Sequence, residues 1–491
     1  MTEKPPFLSL KNGESIAIEK IPIFSIEEFR ELILHWVSKK FRILALFSNA
    51  SSSDVPYPLI AALGDDEEGT IYLASSKPVK KFISLTPDCP QAHLFEREIY
   101  ENSGLTPENH PWLKPVRKTP ASQVSFFREN GAQVHEVAVG PIHAGIIEPG
   151  HFRFQCHGET IRHLEIQLGY QHRGVEQLIL RNPLRSLSIA ESICGDSVVS
   201  HAWAHCAGLE ALSNQKITPE AERIRASALE IERIANHLGD LAALSGDIGY
   251  LPASAYFGRM RGDFLNLLMM ISGNRYGKGL LKVGGTFFDI PPAMKSSVLK
   301  ILKEACPETE EIGNLFFGSS SVLSRLENVG ILPQKSCEEL GIVGLPARAS
   351  SLKRDVRENY PFGVYRSRKI PVACLGNSDV YARTYLRFLE IKNSLAFLAD
   401  LFENWPEKKA STKSQGKNKP HHLALSLIEG WRGEVCHIAQ TGPNGEISSY
   451  KIIDPSFHNW IGLAFAMRNQ EISDFPLCNK SFNLSYAGHD L

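Results

Sequence analysis

Residues 191–206 read ESICGDSVVSHAWAHC and concentrate the side chains best suited to chemistry. Cys194 supplies a soft thiol, but the position three residues on, where a chelating pair would put a second cysteine, is Ser197. A serine hydroxyl is a hard oxygen of far higher pKa than a thiol, and a poor replacement on a soft transition metal. His201 and His205 stand four apart, so one helix face carries both, a spacing that chelates a metal when a third ligand is supplied. No third ligand with supporting spacing is visible, and satisfied core or interface histidines fit the same spacing. Asp196 offers either an ionisable group in the same pocket or a cap for the helix that begins beside it. GPNG at 442–445 is a hairpin turn, and neither a G-x-G-x-x-G nor a Walker pattern occurs, so nucleotide binding by this chain has no support.

The elements that must position these residues are legible from periodicity. FSIEEFRELILHWVSKK puts Phe29, Leu32, Ile33, Trp36 and Val37 at helical spacing, and FRILALFSNA then reads as a strand. TIYLAS reads as another strand and Glu96 to Tyr100 as a helix, which together make residues 1–125 a small α/β unit with a proline-punctuated exit. From 137 onward an alternating stretch with glycine and proline turns predicts a short antiparallel sheet. Thr218 as N-cap and Pro219 at the first helical position open a long helix. Its apolar face carries Ile224, Ala228, Ile231, Ala235, Leu238 and Ala242. Further helices are expected over 255–275, 293–305 and 379–404. GEVCHIAQTGPNGEISSYKIIDPSF predicts a hairpin, and the lysine-rich 406–422 a flexible surface loop. The fold class is α+β, with the helix-rich part spanning 137–491.

Composition narrows the function classes. A chain of 491 residues with 43% hydrophobic and 22% charged residues is long enough for two or three cores. A formal charge of −1 gives no reason to expect nucleic acid or direct contact with an anionic membrane. No apolar run approaches the roughly 20 residues that span a bilayer, so any membrane association is expected through partner subunits. The nine cysteines include no C-x-x-C pair, which predicts free, mostly buried thiols in a reducing cytoplasm.

Five stretches in order carry a family resemblance. LFEREIYENSGLTPENHPWLKPV (94–116) resembles the end of the 30 kDa-type subunit of respiratory complex I. GPIHAGIIEPGHF, GYQHRGVEQL, ERIANHLGDLAAL and DVRENYPFGVY resemble the 49 kDa-type subunit and its relative, the large subunit of group 4 NiFe hydrogenases of the formate hydrogenlyase and hydrogenase-4 type. In such hydrogenases two C-x-x-C pairs hold nickel and iron. By the resemblance the first pair falls on Cys194 and Ser197, and the second on Ser485 and Gly488 of SFNLSYAGHDL. One thiol in four survives, which implies the remains of a metal site and no metal bound by this chain. In complex I the same cavity heads a quinone site held by a histidine of an H-P-x-x-H-G loop and a tyrosine early in the following helix. Here His143 matches the first histidine, whereas Ile147 stands at the second and Gly195 or Asp196 at the tyrosine.

The resemblance also implies roles for other residues. Glu176 matches the glutamate that passes protons to and from the metal site in hydrogenases, a task that burial would suit by raising its pKa. A helix-start carboxylate stabilised by the helix dipole is the alternative. His172 and Arg173 match positions that face an iron–sulfur partner, with surface salt bridging as the alternative. Asp355, Arg357 and Tyr360 lie on a stretch kept near the cavity, where pairing of Asp355 with an arginine is the simplest expectation.

The expected function is that of a large subunit in an NADH dehydrogenase-like or energy-converting-hydrogenase-related oxidoreductase complex. The partners implied are an iron–sulfur protein of the complex I 20 kDa or hydrogenase small-subunit type and antiporter-like membrane subunits. The iron–sulfur cluster, and any NAD binding, belong to the rest of that complex. The implied location is the cytoplasmic face of the inner membrane, peripheral. Three forms compete: a redox subunit whose cavity takes a quinone or other small acceptor, a non-catalytic scaffold, and an active hydrogenase with unusual ligands.

Overall fold

The structure, a computed structural model, describes residues 5–48, 58–117, 125–131, 133–143, 147–405 and 416–491. Its architecture is α+β, with small antiparallel sheets set around a helical core. In the N-terminal part Ser25 accepts from the Glu28 amide and Glu28 from the Ser25 amide, a capping box that starts the helix Ile26–Ser38. That helix buries Phe29, Ile33 and Trp36 against a five-stranded sheet. Its main path runs Leu8–Leu10, Thr70–Ser76, Leu59–Asp65, Arg42–Ser48, with Ile23–Phe24 pairing parallel to Thr70–Ser76. The strand Leu59–Asp65 lacks the polar alternation that marks a half-exposed strand, because it is buried nearly throughout. The helix expected over Glu96 to Tyr100 extends to His93–Ser103.

The three-stranded antiparallel sheet Val134–Val139, His151–His157, Thr160–Gln167 lies where the alternation places it. Thr218 caps Pro219–Asp247 by accepting from the Ala221 amide, and this helix packs along Leu251–Ser272 and Val380–Glu403. The helix expected over 293–305 runs instead from Pro292 to Phe317, through Pro307. Its buried stripe of Val298, Leu302, Ala305, Thr309, Ile312 and Phe316 continues past the proline, and packing outweighs the one hydrogen bond lost there.

The hairpin Glu434–Thr441 and Ile447–Ile453 completes a four-stranded sheet with His422–Glu429 and, at its edge, Ser15–Ala17 from the other end of the chain. Asn12 fastens this crossing. Its side-chain amide donates to the Tyr360 and Leu427 carbonyls and its oxygen accepts from the Leu427 amide. Of the loop expected over 406–422, residues 406–415 lie outside the described residues. From Gly416 the chain is tied down, with the Lys419 amide on the Leu212 carbonyl and the strand beginning at His422. Among the described residues no helix is long and apolar enough to cross a membrane.

Candidate functional site

The helix Val198–Ser213 and the C-terminal turn Tyr486–Asp490 meet at the four positions expected to be former ligands. Cys194 Sγ lies 3.1 Å from Ser485 Oγ. Ser485 is otherwise engaged as the N-cap of the last helix, accepting from the Gly488 amide at 2.8 Å. Gly488 has no room for a side chain, since a Cβ there would stand 2.5 Å from the Asp454 carboxyl carbon. Ser197 Oγ accepts from the Arg432 guanidinium at 3.3 Å.

Arg432 organises the pocket. It sits in the tight turn between His422–Glu429 and Glu434–Thr441, stacked on the Trp431 ring, and is buried. Its two terminal nitrogens donate to the Asp196 carboxylate at 2.6 and 2.8 Å, and one also reaches Cys194 Sγ at 3.5 Å. The Trp431 indole and the Asn236 amide both donate to the Asp196 carbonyl at 2.8 Å, which fixes the loop. Burial would lift the Asp196 pKa, but the guanidinium charge and hydrogen bonds outweigh it and hold the carboxyl below its usual range. Burial first, and then the neighbouring Asp196 charge, push the Cys194 thiol well up, so that it is a protonated donor to Asp196 at 2.9 Å.

Asp196 therefore does not cap the helix, as its position next to the helix start suggested. The N-cap is Ser197, without a side-chain cap, and the free amides of Val199 and Ser200 are taken by Glu232 from the long helix at 2.7 and 3.3 Å. Burial, little offset by these two amides and reinforced by Asp196, pushes Glu232 up to about 8. Local sequence signals cannot supply Glu232 or Arg432, because both reach the pocket from distant elements.

The other expected residues surround the pocket without all converging on it. Arg173 donates to the Ser192 and Ile193 carbonyls at 2.7 Å, bracing the approach to Cys194. His172 bonds the Asp490 carbonyl at 2.8 Å. Glu176 accepts from Lys451 at 3.0 Å and from the Ile452 amide at 2.9 Å. His143 turns back onto the Gly150 carbonyl at 2.8 Å. Asp355 pairs with Arg357 through both oxygens and Tyr360 donates to Asp66, so that stretch is bound into a buried ion network with Glu230 and Arg348. His201 and His205 are fully buried and hydrogen-bonded on both ring nitrogens.

One protonated thiol, two hydroxyls and a glycine do not fit a nickel–iron pair held by four thiolates. Among the described residues no group of three or more His, Cys, Asp or Glu is arranged to hold a metal ion. What the pocket can do chemically is hold charge and protons: a guanidinium, a carboxylate, a thiol, and Asp454 alongside.

Residues 247–421 match the family model for the 49 Kd subunit of respiratory-chain NADH dehydrogenase. The membrane-bound hydrogenase subunit alpha of Pyrococcus furiosus is 31% identical over 368 residues, 71% of this chain and 85% of that protein. Hydrogenase-4 component G of Escherichia coli is 27% identical over 438 residues, 84% of this chain and 76% of that protein. A chain of an archaeal membrane-bound sulfane sulfur reductase shares the fold with a TM-score of 0.69 at 20% identity, covering 73% of this chain and 99% of that one. The chain belongs to the family of the membrane-bound hydrogenase alpha subunits and the complex I 49 kDa subunits.

Proposed function

We propose that this chain is the large subunit of a membrane-associated oxidoreductase complex of the hydrogenase and complex I kind, and that a protein-only polar site stands where its relatives in the resemblance hold nickel and iron. The observation that carries this reading is the Asp196–Arg432 ion pair against the lone Cys194 thiol. The Arg432 guanidinium places a cation in the pocket, already paired with Asp196, and Gly488 against Asp454 leaves no space for a fourth ligand. In this reading an iron–sulfur subunit docks over His172 and Arg173, antiporter-like subunits tie the complex to the cytoplasmic face of the inner membrane, and a quinone or another small molecule accepts electrons near Arg432.

Elemental analysis of the native complex tests it. Nickel well below one atom per chain is expected, with iron accounted for by the iron–sulfur partner. One nickel per chain would overturn the reading and restore hydrogenase chemistry. The scaffold form of the same reading is favoured by one contact, the Lys451–Glu176 pair, which gives the carboxylate a structural task. Glu176→Gln separates the two. A scaffold loses no coupled activity, whereas a proton-passing glutamate loses on the order of 10²-fold.

A further inference from the structure

Five hydrogen bonds run in series from Asp454 at the edge of this pocket to the surface. Asp454 Oδ2 lies 3.1 Å from His201 Nε2, and His201 Nδ1 lies 3.1 Å from His437 Nε2. His437 Nδ1 is 2.8 Å and His205 Nδ1 is 2.7 Å from the one Tyr450 hydroxyl. His205 Nε2 then lies 3.1 Å from Ser186 Oγ. The carboxylate, the three imidazoles and the phenol are all at most 5% exposed. Ser186 is half-buried and follows the exposed turn 181–185, so only this end of the series reaches solvent.

Secondary structure sets the spacing. His201 and His205 are one turn apart on Val198–Ser213. His437 stands opposite Ile452 in the hairpin, which places Tyr450 on the adjacent diagonal of the same sheet face. At the inner end Asp454 lies against Gly488 and within the field of Arg432, and its other oxygen accepts from the Ser456 amide. Along the way Tyr450 feels Glu176 and the thiols of Cys206 and Cys436.

With Asp454 ionised and the imidazoles neutral, one donor assignment satisfies every link. Ser186 O–H donates to His205 Nε2, His205 Nδ1–H to the Tyr450 oxygen, Tyr450 O–H to His437 Nδ1, His437 Nε2–H to His201 Nδ1, and His201 Nε2–H to Asp454. Every donor points inward. Burial keeps His205 neutral, down to about 4, holds His437 well below its usual range, and keeps the Tyr450 proton firmly on oxygen.

We propose that this series is a proton relay joining the surface at Ser186 to Asp454 at the wall of the Cys194 pocket. In one passage each of the five hydrogens moves to its acceptor while Ser186 takes a replacement from water. One O–H bond is lost in solvent, one forms on Asp454, no electrons move, and no charge is stranded between the ends. Afterwards the links point outward and the Ser186 hydroxyl turns to the Pro183 carbonyl, 2.9 Å away. What consumes the proton depends on the redox reading of the pocket; the relay itself does not.

The native complex, labelled with 15N-histidine and transferred into D2O, tests this through vibrational bands of the three imidazoles, assigned by single His→Gln variants. Rapid deuteration of all three despite full burial is expected. Tyr450→Phe should slow His201 and His437 at least about tenfold while leaving His205 at its original rate, and Ser186→Ala, half-buried and tolerant, should slow all three. Unchanged exchange of His201 and His437 in Tyr450→Phe, or equal slowing of His205, would overturn the relay. Turnover of reduced methyl viologen with a short-chain quinone as electron acceptor, followed in the same variants, separates the two proposals. Slowed exchange with turnover unaltered or absent supports the relay and removes the redox reading.

Discussion

At the scale of residues, the pocket shows how a buried cation sets what its neighbours must do. Asp196 is a third exposed while Arg432 is almost fully buried, so the pair is stabilised more by the guanidinium's need for a partner than by attraction across a dry interior. Removing the carboxylate leaves a buried cation against a neutral thiol. Asp196→Ala is therefore expected to cost about 2 kcal/mol, less than the roughly 3–5 kcal/mol of a fully buried pair because water reaches the vacated space. Adding Arg432→Met should recover most of the loss, and chemical denaturation of the single and double variants measures both. That thiols are missing at Ser197, Ser485 and Gly488 is an expectation that came from the family resemblance. The replacement was not legible in the sequence, because Arg432 is 238 residues from Cys194 and nothing near it in the chain marks it as a pocket residue.

At the scale of elements, the long helix Pro219–Asp247 shows a limit of periodicity. Its apolar face reads correctly as Ile224, Ile231 and Leu238, yet Arg225, Glu232, His237 and Asp240 on other faces are buried too. Polar residues at helical spacing look like a solvated face until the partners that satisfy them, here Glu210, Glu390 and Arg387, are placed in space. Glu232 carries a consequence for pH. Its folded pKa of about 8 lies above the ordinary 4.5, so between those values the folded chain holds a proton that the unfolded chain has lost. Stability from this group is full below about pH 4.5 and falls as pH rises toward 8. Glu232→Gln removes that slope. Denaturation at pH 5 and at pH 8 should find the variant gaining on the parent by a few kcal/mol, on the order that linkage allows. A constant difference would mean that Glu232 is ionised in the folded chain.

At the scale of the whole molecule, the N-terminal unit is not a separable bead. Arg42 bonds Glu434 and Asp66, Tyr360 closes onto the same Asp66, and Asn12 makes three hydrogen bonds across the crossing, each 2.8 Å long. Asn12→Ala leaves buried backbone groups unmet and is expected to cost about 2–3 kcal/mol. Hydrogen exchange should show the loss first at Ser15–Ala17 and His422–Ala424, the strands it staples. Length and composition allow two or three cores; this stitching depends on a three-residue strand too short to have a period.

That stitching also sets an order of events in time. Asn12 and Leu427 are 415 residues apart, so at the usual pace of synthesis the first waits roughly 20–80 s for the second to be made. Through that interval the N-terminal strand has its edge but no sheet to join. The ribosome, rather than the finished structure, faces the harder problem: an early segment must be kept from pairing with the wrong edge until nearly the whole chain has been translated.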